Sequence, residues 1–84
     1  MGFNLQIFSP KSSYENTVTR LVLPGGEGEI GILPGHARLI TYLVSGRIKI
    51  TGEGFEEYCN IGFGLVEVYQ NKVTIITEDF VRKN

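Results

Sequence analysis

Glycine punctuates this chain more than any other residue. Eleven of the 84 residues are glycine, about twice the average share, and they separate short runs rich in Val, Ile, Thr, Tyr and Phe. Branched and aromatic side chains favour strands, whereas glycine and proline favour the turns between them. The pattern predicts many short strands, and only the tail from Asp79 onward is compatible with a helix.

Eight or nine strands are expected, at the spacing typical of a sandwich or barrel. Phe3, Leu5 and Ile7 alternate with polar residues, as in a half-buried strand. The other predicted strands cover residues 17–23, 29–33, 37–44, 47–51, 55–61, 65–69 and 73–77. The run 37–44 is apolar enough that we expect it to be buried on both faces or nearly so.

Charge and composition exclude several classes of function. Eight basic residues face nine acidic ones, the net charge is −1, and no basic stripe suited to nucleic acid exists. No apolar stretch could span a bilayer, and the amino terminus lacks the pattern of a signal peptide. We therefore expect a soluble, unexported protein. Cys59 is the only cysteine, which excludes an internal disulfide and predicts a small buried side chain.

Residues 26–31 read Gly-Glu-Gly-Glu-Ile-Gly and match the spacing of the dinucleotide-binding fingerprint. That fingerprint needs a helix directly after the loop, whose amino terminus binds the pyrophosphate. Here another strand and Pro34-Gly35 follow, and Glu27 and Glu29 would repel an anionic ligand. A turn is the expected structure, and no cofactor is expected.

The remaining polar residues predict no catalytic or metal centre. His36 is the only histidine, too few for a zinc site together with one distant cysteine; it is either a turn residue bonded to local backbone or an interface residue. Glu56 and Glu57 are adjacent on a strand, so they point to opposite faces. If Glu57 faces inward, it would need a partner such as Lys49 or Arg47.

Residues 23–37, Leu-Pro-Gly-Gly-Glu-Gly-Glu-Ile-Gly-Ile-Leu-Pro-Gly-His-Ala, closely resemble the signature of the epsilon subunit of F-type ATP synthases. Residues 8–10, 64–68 and 71–74 are also similar to that family, so the resemblance covers essentially the whole chain. It implies the family's amino-terminal β-sandwich of two five-stranded sheets. The predicted fold is therefore a small antiparallel β-sandwich of about eight to ten short strands, in one domain covering residues 1–84.

The chain departs from the family in a few places. The turn after Ser9-Pro10 is about one residue shorter than usual, Arg38 stands where the family typically has proline, and residues 62–64 read Gly-Phe-Gly instead of Ser-Gly-Gly. The sequence also stops at Asn84, where the family's carboxy-terminal helical hairpin would begin. The roles of that hairpin, inhibition of hydrolysis and binding of ATP, are therefore not carried over.

The resemblance implies a non-catalytic subunit of the central-stalk rotor. Such a subunit docks the gamma subunit to the polar loops of the c-ring and supports proton transport coupled to ATP synthesis. It is a peripheral part of the complex on the cytoplasmic face of the bacterial inner membrane, and it touches the membrane only through the complex. It needs no cofactor.

Specific residues follow from the same resemblance. An acidic turn at Glu27, Gly28 and Glu29 matches the c-ring contact, where a carboxylate could pair with basic groups on the ring. The positions that match the gamma-facing surface are Ser9, His36, Thr41 and Tyr42. Ile40 and Tyr42 could anchor that contact or belong to the core, because one face of their strand must pack inward.

The sequence is also compatible with one alternative function of a different class. A small β-sandwich could be a ligand-binding or adaptor module unrelated to ATP synthase. Such a module needs a concave pocket with converging polar groups, and the sequence contains no cluster that would build one. Titration with nucleotides would separate the two readings, since a rotor sandwich without its hairpin should bind none.

Overall fold

A computed structural model describes residues 1–83 of the chain. The strands are β1 (Phe3–Phe8), β2 (Ser13–Val18), β3 (Arg20–Gly25), β4 (Gly28–Ile32), β5 (Leu39–Leu43), β6 (Gly46–Gly52), β7 (Phe55–Ile61), β8 (Gly64–Tyr69), β9 (Lys72–Thr77) and β10 (Phe80–Lys83). The tail from Asp79 onward, whose pattern is compatible with a helix, instead forms a strand, because β10 pairs with β7 in an antiparallel ladder; Asn84 lies outside the described residues. Within residues 1–83 no helix could cross a membrane.

The strands form one hydrogen-bonded path in the order β10-β7-β6-β3-β5-β8-β9-β1-β2, with β4 beside β3. Strands β3 and β5 are joined by a single residue pair, Gly25 and Leu43. This junction divides the path into a first sheet (β1, β2, β5, β8, β9) and a second sheet (β3, β4, β6, β7, β10), each five-stranded. The ladders are antiparallel except for the parallel pair β1 and β9, so the predicted fold class is confirmed.

Alternating side chains from both sheets fill one core. On β1 the predicted residues Phe3, Leu5 and Ile7 are buried, and on β6 Ile48 and Ile50 are fully buried, as their alternation predicts. These side chains belong to the same cluster of buried residues, which draws on both sheets. Burying a side chain of this size stabilises the fold by about 1.5–3 kcal/mol.

Two hairpin turns match the sequence closely. Strands β6 and β7 meet at the pair Gly52 and Phe55, and Gly54 in the turn has a φ of 80°, which glycine adopts without steric cost. Strands β8 and β9 are joined by Gln70 and Asn71, with φ values of 45° and 61°. Two consecutive positive φ angles are the conformation that a two-residue hairpin prefers.

The predicted strand over residues 17–23 is in fact two strands that belong to different sheets. Val18 ends β2 opposite Phe3 in the first sheet, and Arg20 begins β3 opposite Thr51 in the second. Between them, the backbone N–H of Thr19 donates to the Thr51 carbonyl at 2.7 Å, and the Thr19 hydroxyl donates to the same oxygen at 3.1 Å. The chain crosses between sheets at one residue, so the run of strand-forming residues shows no gap.

A polar cluster, the Tyr14 clasp (Tyr14, Glu57 and Arg82), connects the two sheets at their rim. The Tyr14 hydroxyl donates to one Glu57 carboxylate oxygen, and Arg82 Nη2 donates to the other at 2.8 Å. The Arg82 guanidinium lies 5.2 Å from the Tyr14 ring centre, and the Phe80 ring packs edge-on against that ring. The clasp therefore joins β2 of the first sheet to β7 and β10 of the second.

The clasp also supplies the partners that compensate the charge of the inward-facing Glu57 carboxylate. Its partners are Tyr14 and Arg82, not the predicted Lys49 or Arg47; Lys49 instead pairs with Glu56 at 3.3 Å. The hydrogen bond from Tyr14 and then that from Arg82 lower the pKa of Glu57. Burial, followed by the Glu57 hydrogen bond, raises the pKa of Tyr14 to about 12, so its hydroxyl remains a donor at neutral pH.

Candidate docking surfaces

The acidic turn lies at the tip of the β3–β4 hairpin. Gly25 pairs with Gly28, Gly26 and Glu27 form the turn, and Gly28 has a φ of 125°, a conformation that side chains disfavour. Glu27, Gly28 and Glu29 are all exposed. The residues that match the dinucleotide fingerprint thus form a strand–turn–strand unit, without the helix terminus that phosphate binding requires.

An open groove of about 430 Å³ lies between the tip of the β3–β4 hairpin and strand β5. We call it the acidic groove. Its lining comprises Gly25, Gly26, Glu27, Gly28, Glu29, Ile30, His36, Leu39, Thr41 and Tyr42. All three residues predicted for the c-ring and three of the four predicted for gamma therefore line one continuous groove.

Tyr42 forms one wall of this groove because its ring packs directly on Gly26. A Cβ atom at position 26 would lie only 2.2 Å from the ring, far below a real contact distance. Glycine at this position thus allows the hairpin tip and β5 to approach each other.

His36 and Thr41 line the acidic groove in different ways. His36 lies in the turn before β5, where its backbone N–H donates to the Leu33 carbonyl at 3.2 Å and its Nδ1 lies 2.7 Å from the Ala37 carbonyl oxygen. Thr41 is half-buried and shares the inward parity of Leu43. Thr41 therefore faces the groove rather than the outer face of its strand.

The outer face of the first sheet carries a row of exposed apolar side chains. The ladders place Tyr42 beside Leu65, Leu65 beside Ile76, and Ile76 beside Phe8, across four neighbouring strands. Their exposed fractions are 55%, 54%, 59% and 41%. We call these four residues the apolar row. Contiguous exposed apolar surface of this kind marks interaction sites.

Two further exposed apolar residues extend this face. Ile40 is 60% exposed on the outer side of β5, and Phe63 is 60% exposed just before β8. The core interpretation of Ile40 and Tyr42 is therefore wrong, as is the prediction that residues 37–44 are buried on both faces.

Ser9 lies at the far end of the apolar row from the acidic groove. It directly follows Phe8 and forms a closed turn, in which its backbone N–H and its hydroxyl donate to the Ser12 carbonyl at 2.9 and 3.1 Å. Ser9 is thus separated from His36 and Thr41, and the apolar row connects it to Tyr42.

Leu65, Ile76 and Phe8 were not predicted as site residues. The available signal was the occurrence of two consecutive apolar residues on half-buried strands, at 65–66 and 75–76. Because side chains alternate between faces, such a pair must expose one of its members or bury both faces of the strand.

The outer face of the second sheet has a different character. It carries Arg47 and Lys49 on β6 and Glu56, Tyr58 and Asn60 on β7, with the Arg47 guanidinium 4.5 Å from the Tyr58 ring centre. Val81 is the exposed apolar residue on β10, at 51%. The apolar row of the first sheet thus has no counterpart among these residues of the second sheet. Within residues 1–83 no group of three or more His, Cys, Asp or Glu could hold a metal ion.

Comparison with known proteins places this sandwich in a family. The family model described as "ATP synthase, Delta/Epsilon chain, beta-sandwich domain" matches residues 2–83. The ATP synthase epsilon chain of Desulfitobacterium hafniense is 44% identical over 77 residues, which cover 90% of this chain and 58% of that protein. The epsilon chain of Acinetobacter baumannii is 41% identical over 73 residues, covering 86% and 52%. The chain thus spans about half the length of the curated relatives it matches.

Two solved structures share the fold. A chain in the mitochondrial ATP synthase of Euglena gracilis, described as OSCP/F1/c-ring in rotational state 1, superposes with a TM-score of 0.90 at 24% identity, over 96% of this chain and 53% of that one. A chain in the central stalk/c-ring of the Tetrahymena thermophila enzyme gives 0.80 at 18% identity, over 92% and 63%.

These matches exclude a module unrelated to ATP synthase. The family model covers nearly the whole described chain, and both bacterial relatives exceed 40% identity. The chain therefore belongs to the family of ATP synthase delta/epsilon chains, of which it represents the β-sandwich domain.

Proposed function

We propose that this chain is a non-catalytic rotor subunit of an F-type ATP synthase, which docks the gamma subunit to the c-ring and so supports proton-driven ATP synthesis. As an extrinsic part of the complex, it would lie on the cytoplasmic face of the bacterial inner membrane, and residues 1–84 would act as one domain. Family membership supports this role, and the apolar row is the single observation that carries it.

The apolar row is suited to the gamma contact because it offers rigid anchors. Tyr42, Leu65, Ile76 and Phe8 lie side by side on paired strands, so little conformational entropy is lost when a partner covers them. Aromatic side chains are enriched among the residues that carry most of the binding energy of an interface, and the apolar row contains two of them, Tyr42 and Phe8. We assign the gamma subunit to this face, with Tyr42 and Ser9 at its two ends.

The acidic turn is suited to the c-ring contact because its carboxylates are exposed and form no direct ion pair within residues 1–83. Neither Glu27 nor Glu29 forms an ion pair within residues 1–83, and both are exposed at a hairpin tip. A carboxylate in this position can pair with basic groups on the polar loops of the ring and accelerate association. His36 and Thr41 line the groove behind the turn, so they lie between the two proposed contacts.

Binding to the gamma subunit of the same organism tests the first contact. Leu65→Glu introduces a charge into the centre of the apolar row and should abolish co-elution with gamma in size-exclusion chromatography. Val81→Glu is the matched control, because Val81 has a similar exposed fraction, 51%, on the opposite face. If both variants bind gamma as the wild type does, the assignment of the apolar row fails.

The second contact requires a separate measurement. Glu29→Lys should leave gamma binding unchanged and weaken binding of the gamma complex to detergent-solubilised c-ring. Glu56→Lys reverses a charge on the outer face of the second sheet and should change neither. Loss of gamma binding in Glu29→Lys would mean that the acidic turn belongs to the gamma interface instead.

A further inference from the structure

Arg38 stands at the border of the face that carries the apolar row. It shares the outward parity of Ile40 and Tyr42 and is exposed. Its guanidinium carbon lies 5.1 Å from the centre of the Tyr69 ring. Tyr69 lies on β8 and shares the parity of Leu65, so the stacked pair continues the same outer face.

The contact of Arg38 with the Tyr69 ring leaves the N–H donors of the guanidinium without a carboxylate partner among residues 1–83. A guanidinium that lies over an aromatic ring engages its flat face, whereas its five N–H groups point outward in the plane of the group. No carboxylate within residues 1–83 forms an ion pair with Arg38, including Glu67 on the same face of β8. Arg38, which is exposed, thus has N–H donors available to a carboxylate of a partner.

We propose that Arg38 binds a carboxylate of the gamma subunit and thereby fixes the orientation of gamma on the apolar row. This inference depends on the proposed function. Burial of apolar surface is non-directional, so the apolar row alone allows a partner to slide or rotate. A bidentate arginine–carboxylate pair has a defined direction, and Lys72, opposite Tyr69 in the β8–β9 ladder, adds positive charge beside it.

The chain contains a matched control for this geometry. Arg47 is also exposed and lies 4.5 Å from the centre of the Tyr58 ring, but on the outer face of the second sheet. The two arginines share their chemistry and their stacking and differ in their distance from the apolar row. A general effect of removing a stacked arginine should appear at both positions, whereas a gamma contact should appear only at Arg38.

The test is the dissociation constant for the gamma subunit of the same organism, measured by isothermal titration at 50 and 500 mM NaCl. We expect Arg38→Gln to weaken binding about tenfold at low salt, and by less at high salt because screening reduces charge–charge attraction. Arg38→Lys should recover only part of the affinity because lysine lacks the fork of N–H donors that a guanidinium has. Arg47→Gln should bind as the wild type does.

A charge-reversal pair identifies the carboxylate. Arg38→Glu should bind poorly, and one Asp→Lys or Glu→Lys variant of gamma should restore binding to Arg38→Glu while weakening binding to the wild type. Circular dichroism of each variant excludes unfolding as the cause.

Three results would overturn the proposal in distinguishable ways. If Arg38→Glu binds gamma normally while Leu65→Glu does not, the docking face stands and the role of Arg38 is refuted. If Arg38→Gln and Arg47→Gln weaken binding equally, the effect is not specific to the border of the apolar row. If the wild-type chain does not bind gamma, or forms a dimer that Leu65→Glu dissociates, the proposed function fails together with this inference.

Discussion

Removing the Tyr14 hydroxyl should destabilise the sandwich because it removes a hydrogen bond between the two sheets. Tyr14 is only 8% exposed, and its hydroxyl donates to the ionised Glu57 carboxylate. A hydrogen bond to a charged group contributes about 1.5–3 kcal/mol. Since Arg82 still binds Glu57 in Tyr14→Phe, we expect the free energy of unfolding to fall by about 2 kcal/mol.

Urea unfolding followed by far-ultraviolet circular dichroism measures this loss. At a slope of about 1 kcal/mol per molar urea, the midpoint should fall by about 2 M. Tyr69→Phe is the control, because Tyr69 is exposed on the surface, and its free energy of unfolding should change by less than about 0.5 kcal/mol. If the free energy of unfolding falls equally little in Tyr14→Phe and in Tyr69→Phe, the clasp does not connect the sheets energetically.

The same link predicts a pH dependence with a defined sign. The pKa of Glu57 in the folded state lies below its usual value of 4.5, first because of Tyr14 and then because of Arg82. A lowered folded-state pKa contributes stability above the unfolded value, and this contribution disappears as the pH falls through the folded pKa. The difference between wild type and Tyr14→Phe should therefore be largest near neutral pH and shrink below about pH 4.5. A difference that grew on acidification would refute this reasoning.

Two further predictions concern backbone packing and the buried thiol. Gly64→Ala should lower the free energy of unfolding in urea by about 1–3 kcal/mol, because a Cβ atom there would lie 2.2 Å from the Ile76 carbonyl oxygen. A Cβ atom at Gly31 would meet nothing within 4 Å, so Gly31→Ala should stay within about 0.5 kcal/mol of wild type. Equal effects at both positions would refute this steric account. Cys59 is fully buried and burial raises its thiol pKa to about 11, so Ellman's reagent at pH 8 should react only after unfolding, and rapid reaction of the native chain would contradict this burial.

The sequence predicts turns better than it predicts which face of a strand is buried. Gly54 identifies a hairpin because only certain residues adopt its φ, and that requirement is local. The burial predicted for residues 37–44 is wrong because apolar residues on both faces of a strand look the same in the sequence whether the second face packs into the core or lies on the surface. For the same reason, the sequence does not identify Leu65 and Ile76 as exposed residues.

Contacts between residues far apart in the chain are the other feature that the sequence does not predict. The clasp joins residues 43 and 25 positions apart in the chain, so Glu57 could be predicted to need a partner, but not which partner. The sequence does not predict the crossing between sheets at Thr19, because a strand that changes sheets keeps the same residue preferences. The acidic turn was found because its signature is contiguous, whereas the apolar row is assembled from four separate strands.

The narrow junction between the sheets has a mechanical consequence. Gly25 pairs with Leu43, and the Val44 N–H donates to the Pro24 carbonyl at 2.9 Å, so the hairpin tip is attached to β5 at the point where the hairpin begins. A force applied through the first sheet therefore reaches Glu27 and Glu29 over a few hydrogen bonds rather than through flexible loops. Gly25 itself has no room for a Cβ atom, which would lie 2.6 Å from the Gly28 carbonyl oxygen and 2.7 Å from the Ile30 side chain, so a larger residue there would distort the hairpin that holds Glu27 and Glu29 against β5.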